Sequence, residues 1–376
     1  MADKSLVFVG TLNRATPYFE DANGEGILVF LLDEQTGQLT LQSKVKGIDN
    51  PTYLSLHPEK ACLYATSEVF GWNEGTVSAY RFDRSTGALS YLNKQPTLGS
   101  LTAYSTVDRS GRYLLLANYA HELWNEDSPA VENPGKAAVV YPIGEDGSLM
   151  APVSSVKHHG TGPDPDRQER PHPHSAVPSL DNQFVVVPDL GIDQVVCYRF
   201  ENGHLTPPDG HFKVKLPGRS GPRHFAFSKD NKTAYVINEL GSTVGHLSFD
   251  AAAGTFEVVD IVSTIPAVFS AENRCADLHL SSDERFLYGS NRGHDSIVVY
   301  AVDPQNRRLT LLGHAPTEGR TPRNFALSPS ERFVLAANQN GDSITVFRRD
   351  AKTGLLDRIG NLGVGTPVCI KMVAVS

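Results

Sequence analysis

The chain has 376 residues and carries 34 Lys and Arg against 42 Asp and Glu, which gives a formal net charge of −8. This acidic balance argues against a nucleic-acid partner, which requires a basic surface, and no apolar run approaches the ~20 residues that span a membrane. The first ten residues, MADKSLVFVG, lack the pattern of a signal peptide. We therefore expect neither a nucleic-acid nor a membrane partner.

A repeat of about 50 residues runs through the chain and predicts its fold. Each copy has a small or polar pair, an apolar strand, a polar turn and a second apolar strand that ends in an Asn-like residue. The copies begin at Pro51, Thr102, Pro173, Pro222, Cys275, Pro322 and Pro367. A third strand with period-two alternation follows in most copies, and turns such as DAKTGLL lead to a fourth. This pattern predicts an all-β, seven-bladed β-propeller with four antiparallel strands, A to D, in each blade.

The two ends of the sequence predict how the ring closes. SLVFVGT near the start aligns with a strand B that no strand A precedes, and TPVCIKMVAV at the end aligns with a strand A that nothing follows. In the simplest ring the C-terminal strand completes the N-terminal blade, which leaves no open sheet edge around the circle. Because the repeat is continuous, we expect residues 1–376 to form a single domain.

The four cysteines predict the cellular compartment. Cys62, Cys197, Cys275 and Cys369 fall on predicted strands of different blades, without metal-binding or redox spacing. Buried free thiols are typical of a reducing compartment. The expected localisation is the cytoplasm.

Charged residues break the repeat at two positions that meet on one face of the predicted ring. The starts of strand A and the ends of strand B share this upper face, at the mouth of the central channel. The residues that depart from the repeat there are Glu68, His174, Arg223, Glu239, Arg292 and Arg323, and Gln339 occupies the same position at the end of another strand B. Such differences between blades favour an asymmetric ligand that several blades hold at once. The alternative is that these charges are simply solvated at the rim.

Three long loops are predicted to surround the same entrance. They are 12–26 in blade 1, 119–136 in blade 3 and 158–174 before blade 4. Long loops in a compact fold are usually functional or disordered. Trp124, in the second loop, is a candidate to stack on the apolar face of a sugar, although loop packing explains it equally well.

Several motifs carry a family resemblance along essentially the whole chain. They are RQERPHPHS, GPRHFAFS, VINELGSTV, SNRGHDSIVVY, GRTPRNFALSP and AANQNGDSITVF. In content and order they resemble the seven-bladed lactonase family, which includes bacterial propeller-type 6-phosphogluconolactonases and the fungal carboxy-cis,cis-muconate cyclase. In the cyclase the proposed site has a His, two Arg and a Glu around the channel mouth. Carried over by motif, these residues correspond to His174, Arg223, Glu239 and Arg292.

The resemblance implies a lactonase, a carboxylic-ester hydrolase that opens a sugar lactone such as 6-phosphogluconolactone. Hydrolysis needs a base for water, stabilisation of an oxyanion and a proton for the departing ring oxygen. His174 is the predicted general base and Glu239 its partner or the acid. Arg223 and Arg292 are the predicted anion holders. The expected partner is a small lactone with hydroxyl and acidic groups.

Further residues from the same columns, motifs and loops are predicted to contact the substrate. Arg320 and Arg323 are candidates for its distal acidic group. The others are Glu68, Arg170, His172, Asn291, His294, Gln339 and Trp124. Asn291 also has a structural interpretation, because Asn residues recur in register at the ends of the B strands and suit turn capping.

Alternatives remain for the cofactor and for the function. No cofactor is predicted, although His172 and His174 with Glu169 or Asp189 suggest a divalent metal site. The flanking prolines favour a rigid extended lead into strand A instead. A muconate cycloisomerase would use the same Arg-rich mouth to hold carboxylates. A noncatalytic propeller that binds protein on its upper face is the third possibility, against which stands the absence of WD-type blade signatures.

Overall fold

The computed structural model describes residues 3–119, 135–207 and 213–375, and the structural statements below refer to these residues. They form seven antiparallel sheets arranged as the blades of a propeller. The prediction of an all-β, seven-bladed ring with four strands per blade is confirmed.

The strands follow one another in the order that the repeat predicts. Those of the first three blades are β1 (Lys4–Thr11), β2 (Ile27–Asp33), β3 (Leu39–Val45), β4 (Tyr53–Leu56), β5 (Cys62–Ser67), β6 (Thr76–Phe82), β7 (Leu89–Pro96), β8 (Thr102–Val107), β9 (Tyr113–Asn118), β10 (Ala138–Pro142) and β11 (Ser154–Val156). Those of blade 4 are β12 (Val177–Pro178), β13 (Phe184–Asp189), β14 (Gln194–Glu201), β15 (His204–Thr206) and β16 (Lys213–Lys215). Those of the remaining blades are β17 (Pro222–Phe227), β18 (Thr233–Asn238), β19 (Thr243–Asp250), β20 (Thr255–Ser263), β21 (Arg274–Leu280), β22 (Phe286–Arg292), β23 (Ser296–Val302), β24 (Leu309–Pro316), β25 (Pro322–Leu327), β26 (Phe333–Asn338), β27 (Ser343–Arg349) and β28 (Leu356–Gly363).

The ring closes through a last strand, β29 (Pro367–Val375). It pairs antiparallel with β1, from Lys4 opposite Val375 to Gly10 opposite Cys369, and so becomes the inner strand of blade 1. The predicted closure by the C-terminal strand is confirmed.

Blade 4 is the least regular of the seven. Its inner strand is reduced to β12 and an isolated bridge between Pro173 and Asp189, because prolines interrupt the ladder. Its outer strand consists of two segments, β15 and β16, which both pair with β14. The segment that leads into the inner strand carries His172 and His174, so the irregular backbone lies next to the channel mouth.

The core lies between neighbouring blades. The alternating apolar residues of each sheet interlock with those of the next, as Tyr235 and Ile237 of blade 5 do with Leu287 and Val298 of blade 6. Turns on the lower face fix the register. In one of them Asp350 accepts two backbone N–H groups, and Gly354 adopts φ of +74° where an added Cβ would lie 2.3 Å from the Phe286 ring.

The described part of the chain contains little helix. Two short 3-10 turns cover Leu190–Ile192 and Gln339–Gly341. No helix among the described residues is long and apolar enough to cross a membrane. The four cysteines are buried and form no disulfide.

Candidate active site

A cavity of about 300 Å³ opens at the upper mouth of the axial channel. Its wall combines the starts of inner strands, the ends of second strands and parts of two long loops. The residues that line it are Pro17, Tyr18, Glu68, Phe70, Leu101, Ala103, Tyr119, Asp166, Arg167, His172, His174, Arg223, Glu239, Arg274, Arg292 and Arg323. The four side chains predicted to be catalytic therefore face one space.

Irregular pairing at the start of inner strands aims two of the arginines. In blade 5 the pairing passes from Pro222 directly to His224, which leaves Arg223 unpaired in the ladder. Arg323 occupies the same position in blade 7, and Ala103 occupies it in blade 3. A bulged residue leaves the alternation of its strand, so its side chain can turn toward the channel. The same bulge therefore carries an arginine in blades 5 and 7 and an alanine in blade 3.

Glu239, at the end of β18, holds three guanidinium groups. Its Oε1 lies 2.7 Å from Arg167 Nη2, and its Oε2 lies 2.9 Å from Arg223 Nε and 2.7 Å from Arg292 Nη2. The carboxylate is 4% exposed. The three arginines come from different blades or loops, so this one side chain joins separate parts of the cavity wall.

The charge balance around Glu239 keeps it ionised. Burial by itself would raise the pKa of Glu239, but Arg292, Arg167 and Arg223 outweigh it and hold the pKa well below its usual value. Burial and the neighbouring Arg292 lower the pKa of Arg223 to about 10, which leaves it charged at neutral pH. The cluster therefore contains one anion and three cations.

His174 lies beside this cluster, and its buried Nδ1 has no hydrogen-bond partner among the described residues. Its ring is 4% exposed and meets the rings of Tyr119 and His224 edge to face, at centroid distances of 5.6 and 5.4 Å. Burial and the adjacent Arg223 lower the pKa of His174 well below its usual value. The imidazole is therefore neutral at pH 7, as a general base must be.

His172, two residues earlier, is held in place by its neighbours. Its Nδ1 donates to the carbonyl oxygen of Tyr119 at 2.7 Å, its Nε2 lies 3.2 Å from Glu169 Oε2, and its ring stacks on the Tyr119 ring. It lines the cavity, but both ring nitrogens are already engaged. Its contribution is therefore to fix Tyr119 and the loop that ends in His174.

Arg323 forms a second, looser charge group on the other side of the mouth. Its Nη1 lies 3.3 Å from both the Tyr18 hydroxyl and Gln339 Oε1, and its Nη2 lies 3.5 Å from Glu68 Oε2. Glu68 lines the cavity, whereas Gln339 touches it only through Arg323. These long contacts leave the guanidinium free to rearrange around a ligand.

A buried network beneath the cavity supports Arg223. Arg223 Nη1 donates to His224 Nε2 at 3.1 Å, and His224 Nδ1 faces Asp277 Oδ1 at 2.6 Å. Because arginine can only donate, the proton of neutral His224 must be on Nδ1. Asp277 also accepts hydrogen bonds from His279 Nε2 of blade 6 and from Asn324 Nδ2 of blade 7. The network ties three inner strands together directly under the site.

Two predicted substrate contacts, Asn291 and His294, do not line the cavity. Asn291 is buried, and its Nδ2 donates to the carbonyl oxygen of Thr264 at 2.9 Å. His294 Nδ1 bonds to the Ser296 hydroxyl at 2.6 Å, and its ring packs on Phe269. Both side chains bond within or beside the connections between strands and do not reach the cavity. The contact of Asn291 agrees with its turn-capping interpretation.

Two predicted arginines also lie away from the cavity wall. Arg170 Nε pairs with Glu169 Oε1 at 3.0 Å, and Arg320 is exposed on the loop before β25. Neither placement supports the predicted contact with substrate. Trp124, a further predicted contact, lies outside the described residues.

The cavity contains three functional candidates that the sequence analysis did not single out: Arg167, Tyr119 and Arg274. Arg167 comes from the long loop before blade 4 and reaches across to Glu239 and, at 3.2 Å, to the Tyr119 hydroxyl. Its Nη1 is buried without a partner in the described part of the protein. Tyr119 stands in the same end-of-strand column as Glu239, so its position, though not its contact with Arg167, was available from the repeat.

Cationic groups outnumber carboxylates in the described wall. The arginines at 167, 223, 274, 292 and 323 face the carboxylates of Glu68, Asp166 and Glu239. No group of three His, Cys, Asp or Glu side chains within the described ranges is arranged to hold a metal ion. The wall therefore offers sites for anions.

Comparison with known proteins places this architecture in a family. The family described as "Lactonase, 7-bladed beta-propeller" matches residues 7–372. A 6-phosphogluconolactonase of Bacillus subtilis is 35% identical over 371 residues, which cover 98% of this chain and 99% of the relative. A 6-phosphogluconolactonase of Formosa agariphila is 34% identical and covers 85% of this chain and 86% of its own length.

Solved structures show the same likeness in three dimensions. The periplasmic gluconolactonase of Pseudomonas aeruginosa superposes with a TM-score of 0.88 at 34% identity, covering 99% of this chain and 100% of the other. The predictions of the family and of a lactone-hydrolysing enzyme are confirmed by these comparisons. The chain belongs to the lactonase family of seven-bladed β-propellers.

Proposed function

We propose that the protein hydrolyses a sugar lactone that carries an anionic group, and that 6-phosphogluconolactone is its substrate. The observation that carries this proposal is the neutral imidazole of His174, whose Nδ1 has no partner among the described residues, beside a cluster of arginines in one cavity. The names of the similar proteins agree with the substrate, since two of them are 6-phosphogluconolactonases.

In this mechanism His174 acts as the base. A water molecule in the cavity attacks the lactone carbonyl carbon while the imidazole accepts its proton. The carbonyl oxygen becomes an oxyanion in a tetrahedral intermediate. As the ring C–O bond breaks, the imidazolium returns the proton to the departing ring oxygen, which yields the hydroxy acid. The low pKa of His174 makes its protonated form a good donor for this second step.

Arg223 and Arg292 are the groups that we assign to the oxyanion. Each uses part of its guanidinium on Glu239 and on a backbone carbonyl, Ala276 for Arg223 and Cys275 for Arg292. Each retains a terminal nitrogen outside these contacts. Donors fixed before the reaction stabilise a developing charge without further reorganisation.

Glu239 organises the arginines in this proposal and does not transfer a proton. Its carboxylate is ionised and receives three guanidinium donors, so it has no proton to give to the leaving group. It also makes no hydrogen bond to His174 among the contacts of the described residues. Of the roles predicted from the sequence, that of general acid therefore has the least support.

The excess of arginine favours a substrate with its own negative charge. A phosphate would add negative charge to a wall that has five arginines and three carboxylates among its described residues, whereas a neutral lactone would not. Arg274 and Arg323 are the groups we assign to this charge, because they lie on the wall outside the three contacts to Glu239. Arg274 also pairs with the exposed Glu272, and Arg323 pairs with Glu68 at 3.5 Å, so a ligand anion would compete with these carboxylates. Bidentate arginine suits both phosphate and carboxylate.

We propose that no metal ion takes part and that the protein acts in the cytoplasm. The metal-free mechanism rests on the proton transfer by His174 and the charge stabilisation by arginine described above. The four buried thiols support a reducing compartment. Activity that survives EDTA and is absent from a periplasmic extract is the expected result.

A panel of lactones and muconates tests the proposal. Acid release at constant pH reports lactone hydrolysis, and loss of diene absorbance reports cyclisation of a muconate. We expect the highest kcat/KM for 6-phosphogluconolactone and a lower value for the unphosphorylated lactone, mainly through KM. Equal values for the two lactones would contradict the anionic substrate. Activity on muconates alone would identify a cycloisomerase instead.

A further inference from the structure

A second cavity, of about 320 Å³, opens at the opposite end of the axial channel. Its wall consists of β4, β8 and β29 and of the turns at the lower ends of β4 and β8. It shares no lining residue with the upper cavity. This volume is at the lower end of the range for ligand pockets, which suits a small molecule.

Three rings separate the two cavities. The Tyr53 and Tyr104 rings lie 4.3 Å apart between centroids, and each meets the His224 ring, at 5.8 and 5.3 Å. His224 in turn contacts His174 of the upper cavity at 5.4 Å. These ring contacts lie between the two cavities, which have no lining residue in common.

Two cationic side chains line this lower cavity. Lys371 of β29 donates from Nζ to the Tyr53 hydroxyl at 3.1 Å, and the same ammonium lies 4.5 Å from the Tyr53 ring centroid. Arg109 projects from the turn after β8. Neither forms a salt bridge with a carboxylate of the described residues. Lys371 is partly buried and Arg109 is exposed, so both cations are accessible to a ligand in this cavity.

The carboxylate among the described lining residues is that of Asp108, and it already accepts hydrogen bonds from backbone and side-chain donors. Asp108 Oδ1 accepts the N–H groups of Arg112 and Tyr113 at 2.8 Å each, and its Oδ2 accepts Asn182 Nδ2 at 2.8 Å. These bonds hold the carboxylate in the turn, where it forms no salt bridge with Lys371 or Arg109. The lining therefore has more positive than negative charge.

We propose that the lower cavity is a second binding site, for a small hydroxylated anion that carries a phosphate or carboxylate group. Lys371 and Arg109 bind the anionic group. The paired hydroxyls of Ser55 and Ser105, 2.9 Å apart, offer donors and acceptors for its hydroxyl groups. The partly exposed Tyr104 ring provides an apolar surface. This site does not depend on the function proposed for the upper cavity.

Crystals soaked in sodium selenate locate the site directly. We expect an anomalous difference peak between Lys371 Nζ and the Arg109 guanidinium, in addition to any peak in the upper cavity. In solution, calorimetric titration with inorganic phosphate is expected to resolve two binding events for the parent protein. Selenate that binds in the upper cavity alone would overturn the proposal.

A pair of double variants isolates the contribution of the two cations. In Arg109→Gln/Lys371→Gln we expect one phosphate-binding event to weaken at least tenfold while lactone hydrolysis continues. The matched control, Lys94→Gln/Lys352→Gln, removes the same charge from exposed positions on outer strand β7 and on a turn, and should bind phosphate like the parent. Equal titrations for the two double variants would overturn the proposal, and retained lactonase activity shows that both are folded.

Discussion

The wall of the upper cavity and the ring partition beneath it each contain a buried histidine, and the two differ in their partners. His224, in the partition, has Arg223 on one ring nitrogen and Asp277 on the other. His174, in the cavity wall, faces the cavity, and no described residue is a partner of its buried Nδ1. Burial lowers the pKa of both. Because the lone pair of His224 is occupied, only His174 is available to exchange a proton with a ligand.

The buried carboxylates of the two regions show the same contrast. Asp277 is compensated by His224, His279 and Asn324, and it lies below the cavity floor. Glu239 is compensated by three guanidinium groups of residues that line the cavity. A buried carboxylate can therefore either join inner strands or position cations for a ligand. The first role belongs to Asp277, whose donors are His and Asn side chains, and the second to Glu239, whose donors are arginines.

Replacement of His174 should have the largest effect on activity. In His174→Ala the water loses its base, and we expect kcat/KM to fall by about 10²–10⁴. Acid release from the lactone at constant pH measures it. The matched control is His204→Ala, which removes an exposed histidine from β15 and should retain parental activity. Parental activity in both variants would contradict the assignment of His174 as the base.

Replacement of Arg292 should come next. Arg292→Ala removes a donor from the proposed oxyanion site, and we expect kcat to fall by about 10²–10³. Because the proposed role is in the transition state, kcat should change more than KM. Arg348→Ala, on the exposed face of β27, is the control. A change confined to KM would instead assign Arg292 to ground-state binding.

Glu239→Gln should impair stability as well as activity. Loss of the carboxylate leaves three clustered arginines without their anion, which we expect to cost about 3 kcal/mol of unfolding free energy. Urea unfolding measures this cost, and added phosphate should restore more stability to the variant than to the parent. We also expect kcat/KM to fall by a factor of about 10–100, as the arginines lose their fixed positions. An unchanged unfolding free energy would contradict the organising role.

Acidification should give the smallest and most gradual effect. Burial lowers the pKa of His224 to about 4 and also lowers that of His174, whereas unfolded histidine has a value near 6.5. The unfolded chain therefore binds more protons below pH 6.5, and stability should fall there by up to about 1.4 kcal/mol per pH unit for each histidine. Urea unfolding at pH 7, 6 and 5 tests this. His224→Gln should reduce the slope, and the exposed-site control His204→Gln should reduce it less.

Much of the fold was predictable because the sequence repeats one strand pattern in every blade. Every blade carries the same alternation of apolar residues, and the unmatched strands at the two ends indicate how the ring closes. The same repeat places Glu239 and Arg292 in one column and His174 and Arg223 in another, so it predicts that these side chains meet at one face.

The contacts of individual side chains were harder to predict than the positions of the strands. Arg167 reaches Glu239 from a long loop, and no strand register reports how far a loop side chain extends. Asn291 and His294 occupy suitable positions in the sequence, but their side chains turn into hydrogen bonds within the blade connections. Strand position alone indicates which face a residue approaches. The partners of its polar atoms decide whether it meets a ligand.

Closure of the ring by β29 has a consequence for biosynthesis. Most strands pair with neighbours that leave the ribosome just before or after them. One edge of β1 pairs with β2 in this way, but its other edge must wait for β29, which is synthesised more than 350 residues later. Until it arrives, a newly made chain exposes one free strand edge, the kind of surface that recruits other chains into aggregates. Ile370 and Lys371 of β29 also join the axial network and the lower cavity. β29 therefore both covers the free edge of β1 and completes the interior of the channel.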